Sequence, residues 1–209
     1  GLEGITPLSV IDGHLSSVFS IGQAGHILRF LKSHGVTQLV MAGGLKRPNF
    51  LTLVCMLKID WEGFKIISKI IFRKIGDDTL LKIIRDRIRQ YGIDVVGAHE
   101  FMPEILCPAG VLGLIQPSTD QFEIVRNGFL FAKQHGKSDK GQSVVVNENG
   151  ICGCETADGT NALIHQCKNF SNPILVKVSK PQQDLALDMP TIGIPTVQNA
   201  KAAGFKGIA

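Results

Sequence analysis

Two aspartates four residues apart, Asp184 and Asp188, share the segment KVSKPQQDLALDMPTIG (residues 177–193) with Lys177 and Lys180. Paired carboxylates can hold a Mg²⁺ ion or orient a water, and nearby ammonium groups offset the charge on phosphate oxygens. The set therefore suits metal-assisted phosphoryl chemistry. Read as a strand, residues 183–189 put Asp184 and Asp188 on one face and Leu185, Leu187 and Met189 on the other. Prolines at 181 and 190 make a helix the poorer choice. The plain alternative is solvated loop charges beside surface lysines.

The elements that must carry these groups lie just upstream. Residues 151–156 read as a strand, Asp158-Gly159-Thr160 as a tight turn and residues 161–168 as the helix it opens. Thr160 is the expected N-cap, its hydroxyl satisfying a first-turn N–H. A loop feeding a helix N-terminus offers backbone donors to an anion. A second strand, residues 174–178, sets Ile174, Val176 and Val178 on one face and turns Lys177 and Ser179 to the other. Cys152, Cys154, His165 and Cys167 bring zinc to mind, but no second well-spaced pair completes a set, so buried apolar thiols are the expectation.

Further out, residues 142–146 and the turn Asn147-Glu148-Asn149-Gly150 predict a hairpin, residues 119–135 a helix and residues 196–203 a last helix. In the first half, residues 8–11 and 18–20 are weakly strand-like. A helix runs from Gly22 through His34 to a stop at Gly35, and residues 36–42 form a strand ending in Gly43-Gly44. Strand, helix and strand in that order suggest a parallel α/β layer whose ligands sit beyond the strands' carboxyl ends. That places Gly43, Gly44, Lys46 and Arg47 well. Residues 49–58, 61–74 and 80–91 read as helices. The second of these mixes Trp61, Phe64 and isoleucines with lysines, as a core-facing helix or one lying on anionic lipid. Residues 93–96 form a strand leading to His99 and Glu100, which either border a site or anchor the next loop. The proline-rich stretch 103–117 marks a boundary, giving domains of residues 1–116 and 117–209.

With 44% hydrophobic and 19% charged residues, the 209-residue chain is globular rather than disordered. Its net charge of +4 and pI near 8.8 are compatible with an anionic substrate or membrane surface, and nucleic acid is not an expected partner. No apolar run reaches the ~18 residues of a membrane span. Five irregularly spaced cysteines fit a reducing cytosol. The chain begins with Gly1 and stops at Gly207-Ile208-Ala209 with no recognisable closing element, so it reads as part of a longer protein.

Six blocks, in order, resemble the LpxI family, the UDP-2,3-diacylglucosamine diphosphatases of lipid A synthesis. They are IGQAGHILRFLKSHGVTQLVMAGGLKRP, VVGAHEFMPEILCPAGVLG, GQSVVVNENG, DGTNALI, LVKVSKPQQDLALDMPTIG and AAGFKGIA. The resemblance covers essentially the whole chain. It implies a Rossmann-like N-terminal domain, a second α/β C-terminal domain and substrate held between them. The implied reaction is Mg²⁺-dependent hydrolysis to UMP and 2,3-diacylglucosamine 1-phosphate, in the cytoplasm and peripherally at the inner membrane, with a homo-oligomer left open. On this footing Asp188, then Asp184, is the essential acid, and Asp188, Asp184 and Glu155 are the metal ligands. Lys177 and Lys180 are catalytic cations. Gly43, Gly44, His99, Glu100, Asp158, Gly159, Thr160 and Thr191 are expected to bind substrate. The family usually begins with a further strand, glycine-rich loop and helix, and continues past residue 209. Asn161 replaces a common acidic residue, and Gln182 a common glycine.

Two other function classes are compatible with the pattern. A nucleotide-cofactor oxidoreductase would need a G-x-G-x-x-G after a strand, and none is present. A non-catalytic sugar-nucleotide or lipid-binding fragment would bind substrate without turnover.

Overall fold

The computed structural model describes residues 1–43, 58–71, 77–138 and 141–209. Gly44, Lys46, Arg47 and nearly all of the helix expected over residues 49–58 lie outside them. The chain divides into two compact α/β units, Gly1–Pro103 and Glu104–Ala209, and the division falls at the head of the proline-rich stretch.

In the first unit, α1 (Leu8–Ile11) is a single helical turn where the sequence suggested a strand. Pro7, already at φ −62, starts the turn, and the Asp12 amide closes it on the Leu8 carbonyl. The strand-like residues 18–20 contribute only an isolated parallel bridge, Phe19 to Leu2. The amphipathic α2 (Ala24–Ser33) ends before Gly35, and β1 (Gln38–Val40) follows. Next come α3 (Trp61–Ile71), α4 (Asp77–Arg89) and β2 (Asp94–Val96), which pairs parallel with β1 in the register Leu39 to Val95. The parallel pair agrees with the α/β expectation.

Asp60 fastens α2 to α3. Its Oδ1 accepts the Gly63 amide (2.8 Å) and its Oδ2 the His26 amide (3.0 Å), so one carboxylate caps both helices. Burial pushes its pKa up, but these donors and the Gly25 amide outweigh that and hold it below the ordinary value. Gly63 makes the approach feasible, since a Cβ there would lie 2.0 Å from the Gly22 carbonyl oxygen.

The second unit is a three-layer sandwich. Its sheet runs in the order β4 (Gly150–Cys154), β3 (Ser143–Asn147), β5 (Ile174–Lys177), β6 (Gly207–Ile208), antiparallel except for the β5–β6 pair. The expected hairpin is present, with Asn147 opposite Gly150. The expected alternation in β5 is also present. Ile174, Val176 and Val178 pack with Val144, Val146 and Ala132 of α5 (Thr119–Gly136), which starts at a Ser118–Gln121 capping box. On the opposite face Val145 and Leu175 pack with Leu163, Ile164 and Cys167, from α6 (Thr160–Gln166) and its C-cap, and with Ala200 of α7 (Ile194–Ala202). Residues 207–209 join the sheet: β6 pairs with β5, and the Ala209 carbonyl accepts the Lys177 amide (2.8 Å).

Candidate functional site

Glu155 sits just past β4, 7% exposed, where its amide is held by the Ser143 carbonyl at 2.9 Å. Both carboxylate oxygens are engaged. Oε1 accepts the Thr160 hydroxyl (2.6 Å) and Oε2 the Gln142 amide (2.8 Å). Burial pushes its pKa up. The Thr160 hydroxyl, the Gln142 amide, Ser143 and the charge of Lys177 outweigh that and hold it below the ordinary glutamate value. Its backbone carbonyl meets His135 Nε2 of α5 at 3.0 Å, so that nitrogen carries the proton.

Thr160 does not cap α6. Gly159, at φ 85, takes the cap position, and a backbone in that region favours glycine. Thr160 is thereby the first helical residue, and its hydroxyl turns to Glu155 instead of the first-turn amides. The same hydroxyl accepts from Lys177 Nζ at 3.2 Å, and Lys177 also donates to the Thr191 carbonyl at 2.9 Å. Acid, hydroxyl and ammonium thus form a chain from the sheet to the loop that carries the aspartates. Asp158 closes its own turn with Thr156, whose hydroxyl donates to Asp158 Oδ2 at 3.1 Å.

The segment read as a strand over residues 183–189 is a turn. The Asp184 carbonyl accepts the Leu187 and Asp188 amides (2.9 and 3.0 Å), and its side chain accepts the Ala186 amide (3.1 Å). An aspartate that bonds its own following backbone nucleates a turn, and that local bonding displaced the extended form. The Asp188 amide bond to the Asp184 carbonyl closes a single turn, so both aspartates belong to that turn, with Asp188 exposed. Asp188 Oδ2 accepts Gln183 Nε2 (2.9 Å), and Gln183 Oε1 accepts the Lys180 amide (2.9 Å). At the loop's entry, Lys133 Nζ of α5 reaches the Ser179 carbonyl and hydroxyl (2.7 and 2.9 Å), while Gln182 Nε2 donates to the Gly136 carbonyl (2.8 Å).

The structure therefore joins Glu155, Thr160, Lys177 and Thr191 in one network and places Asp184 and Asp188 on the loop this network fastens. Among the described residues no three His, Cys, Asp or Glu side chains form a metal-holding group, so Glu155, Asp184 and Asp188 are not gathered into one ligand set. Cys152, Cys154 and Cys167 are free thiols. Burial, and then the neighbouring Cys152 and Cys154, push Cys167 up to about 11, as suits inert apolar cysteines. Lys133, Gln182 and Gln183 are parts of the loop's support that the sequence did not disclose. Their signal lay in contacts up to 46 residues apart.

In the first unit, Glu100 Oε1 accepts the Gly97 amide (2.9 Å), which is the loop-anchoring alternative for that residue. The His99 ring lies where a Cβ at Gly97 would be, 2.3 Å from the ring's Cε1. Gly43 follows β1 at φ 100.

Residues 4–105 match the LpxI N-terminal domain and residues 108–209 the LpxI C-terminal domain. A relative from Caulobacter vibrioides, named UDP-2,3-diacylglucosamine pyrophosphatase LpxI, is 31% identical over 209 residues, covering 95% of this chain and 73% of its own. With both halves matched in order and the relative aligned across nearly the whole chain, this protein belongs to the LpxI family.

Proposed function

We propose that this protein is a hydrolase that cleaves the pyrophosphate bond of UDP-2,3-diacylglucosamine, with Mg²⁺, to UMP and 2,3-diacylglucosamine 1-phosphate. The observation that carries the reading is Lys177. Its ammonium lies between the Thr160 hydroxyl and the Thr191 carbonyl, beside the loop of Asp184 and Asp188, in a chain whose relative bears the name of that activity.

Mg²⁺ is commonly held by one or two carboxylates plus substrate phosphates. Asp184 and Asp188, hard oxygen donors on one turn, fit that pattern, each also accepting a hydrogen bond from its own loop, while Glu155 is buried with both oxygens engaged. The two aspartates would hold the ion, which when bound would polarise a phosphoryl oxygen and acidify a bound water. Glu155 then serves as an anchor, keeping Thr160 and Lys177 in place. Two of the three Lys177 N–H donors go to Thr160 and Thr191, and among the described residues the third is available for a phosphate oxygen. Lys180 adds positive charge on the same loop. First-turn amides after Asp158 and Gly159 offer further phosphate donors. Water's oxygen bonds to one phosphorus, the bridging P–O bond breaks with its electron pair on the departing phosphate, and positioning with electrostatics supplies most of the rate. His99, Glu100 and Gly43 remain proposed substrate contacts of the first unit.

Work at the cytoplasmic face of the inner membrane is part of the proposal. Among the described residues no helix is long and apolar enough to cross a membrane. Support for surface association comes from α3, where Trp61 and Phe64 are exposed and stacked at 5.8 Å with the Lys65 ammonium over Trp61.

Product analysis tests the reaction. UMP and diacylglucosamine 1-phosphate in equal amounts are expected. UDP plus a free sugar would mean glycosidic cleavage, and substrate bound but intact would mean a binding module. Either would overturn the proposal.

A further inference from the structure

We propose that Lys133 and Gln183 are positioning residues for Asp188, acting through the Ser179–Lys180 peptide group. This inference rests on Asp188 being the working acid of the proposed hydrolase.

The path is continuous. Lys133 stands in the last turn of α5, its ammonium over the Phe129 ring at 5.5 Å and bonded to the Ser179 carbonyl and hydroxyl at 2.7 and 2.9 Å. The Ser179 carbonyl and the Lys180 N–H belong to one planar unit, so fixing the oxygen fixes the direction of the N–H. That N–H donates to Gln183 Oε1 at 2.9 Å. The other end of the same side-chain amide donates to Asp188 Oδ2 at 2.9 Å. Each amide end meets a group that accepts only one orientation: the oxygen faces a donor and the NH₂ faces a carboxylate. A glutamate at 183 would set two carboxylates against each other, and a leucine would break the path at both ends. The ammonium at its head polarises the peptide and strengthens the Lys180 amide as a donor. The Gln182 bond to the Gly136 carbonyl, from two residues past Lys180 to the end of the same helix, holds the peptide's position along the chain.

A purely structural tie between α5 and the end of β5 would leave Asp188 indifferent to its loss, and this separates the two accounts.

The test uses the full chain with Lys133→Met, Lys133→Arg and Gln183→Leu. It reads the Lys180 amide and the Asp188 carboxyl carbon by NMR alongside kcat and KM for UDP-2,3-diacylglucosamine. In Lys133→Met the Lys180 amide proton is expected to move upfield and exchange faster, and in both disruptive variants the Asp188 carboxyl resonance shifts. Loss of a group that orients a working carboxylate lowers turnover about 10- to 100-fold. KM is expected to stay within about threefold, because the substrate's ground-state contacts are not touched. Lys133→Arg, which can donate to the same carbonyl and hydroxyl, restores most of the rate. Gln183→Leu leaves α5 unaltered and decides the matter if Lys133→Met does not fold. An unchanged Lys180 amide in Lys133→Met, or an unmoved Asp188 resonance in Gln183→Leu, overturns the inference. A wild-type chain that cleaves nothing refutes the hydrolase reading separately, and the two resonances still decide whether the path orients Asp188.

Discussion

Asp188→Asn is expected to lower kcat by roughly 10³-fold, about 4 kcal/mol of transition-state stabilisation, with KM changed by no more than a few fold. The substitution keeps size and shape, and the amide oxygen can still accept from Gln183 as Asp188 Oδ2 does. What it removes is the negative charge, and with it the carboxylate proposed to hold the ion. Equal falls in kcat and kcat/KM would mark an interaction made only in the transition state. Asp188 is exposed on its loop, so stability should be little altered, within about 0.5 kcal/mol. Steady-state assays and a thermal melt check both halves. A variant with wild-type turnover would remove Asp188 from the mechanism.

Glu155→Gln acts on the opposite property. A buried acid is exchanged for an amide whose NH₂ must face either the Gln142 N–H, donor against donor, or the Thr160 hydroxyl, which then has to accept where it now donates. Lys177 meanwhile loses its nearby negative charge. A loss of about 3 kcal/mol from the second unit at pH 7 is expected. The sign of the pH dependence follows from a folded-state pKa held below the ordinary 4.5. The unfolded chain takes up the proton first as pH falls. The wild-type contribution is therefore complete above pH 4.5 and is lost as pH drops through the folded value. The variant should lose this acid-side slope and so approach the wild type once pH has fallen below the folded-state pKa. Both the single tryptophan, Trp61, and the single tyrosine, Tyr91, lie in the first unit, so amide exchange in β3 rather than fluorescence is the appropriate probe. Parallel pH profiles for the two proteins would contradict the assignment.

What the sequence disclosed was local. The Asn147–Gly150 turn and the alternation of Ile174, Val176 and Val178 follow from turn chemistry and strand period, and both are present in the fold. Misreadings arose where a neighbour decided the outcome. Leu8, Val10 and Ile11 after Pro7 look extended until the proline sets the turn. Thr160 looks like a cap until Gly159 takes the positive-φ position and frees its hydroxyl for Glu155. The aspartate spacing was visible, but the Asp184 turn hid behind prolines that argue equally against a long helix. Nothing near Lys133 in the sequence announces Ser179, and β6 exists only because β5 offers an edge to two residues more than 30 positions later. Of the candidate site, the residue types were legible. The network that orders them was not, because it is built from contacts between distant segments.

The central claim is that the loop of Asp184 and Asp188, fastened by Lys177, is a metal-dependent phosphoanhydride-cleaving centre. Release of UMP from UDP-2,3-diacylglucosamine by the wild-type chain, with Mg²⁺ and then with a chelator, tests it most directly. The account predicts release with Mg²⁺, loss in the chelator and recovery when Mg²⁺ is restored. Equal release in both conditions, or none in either, would contradict it.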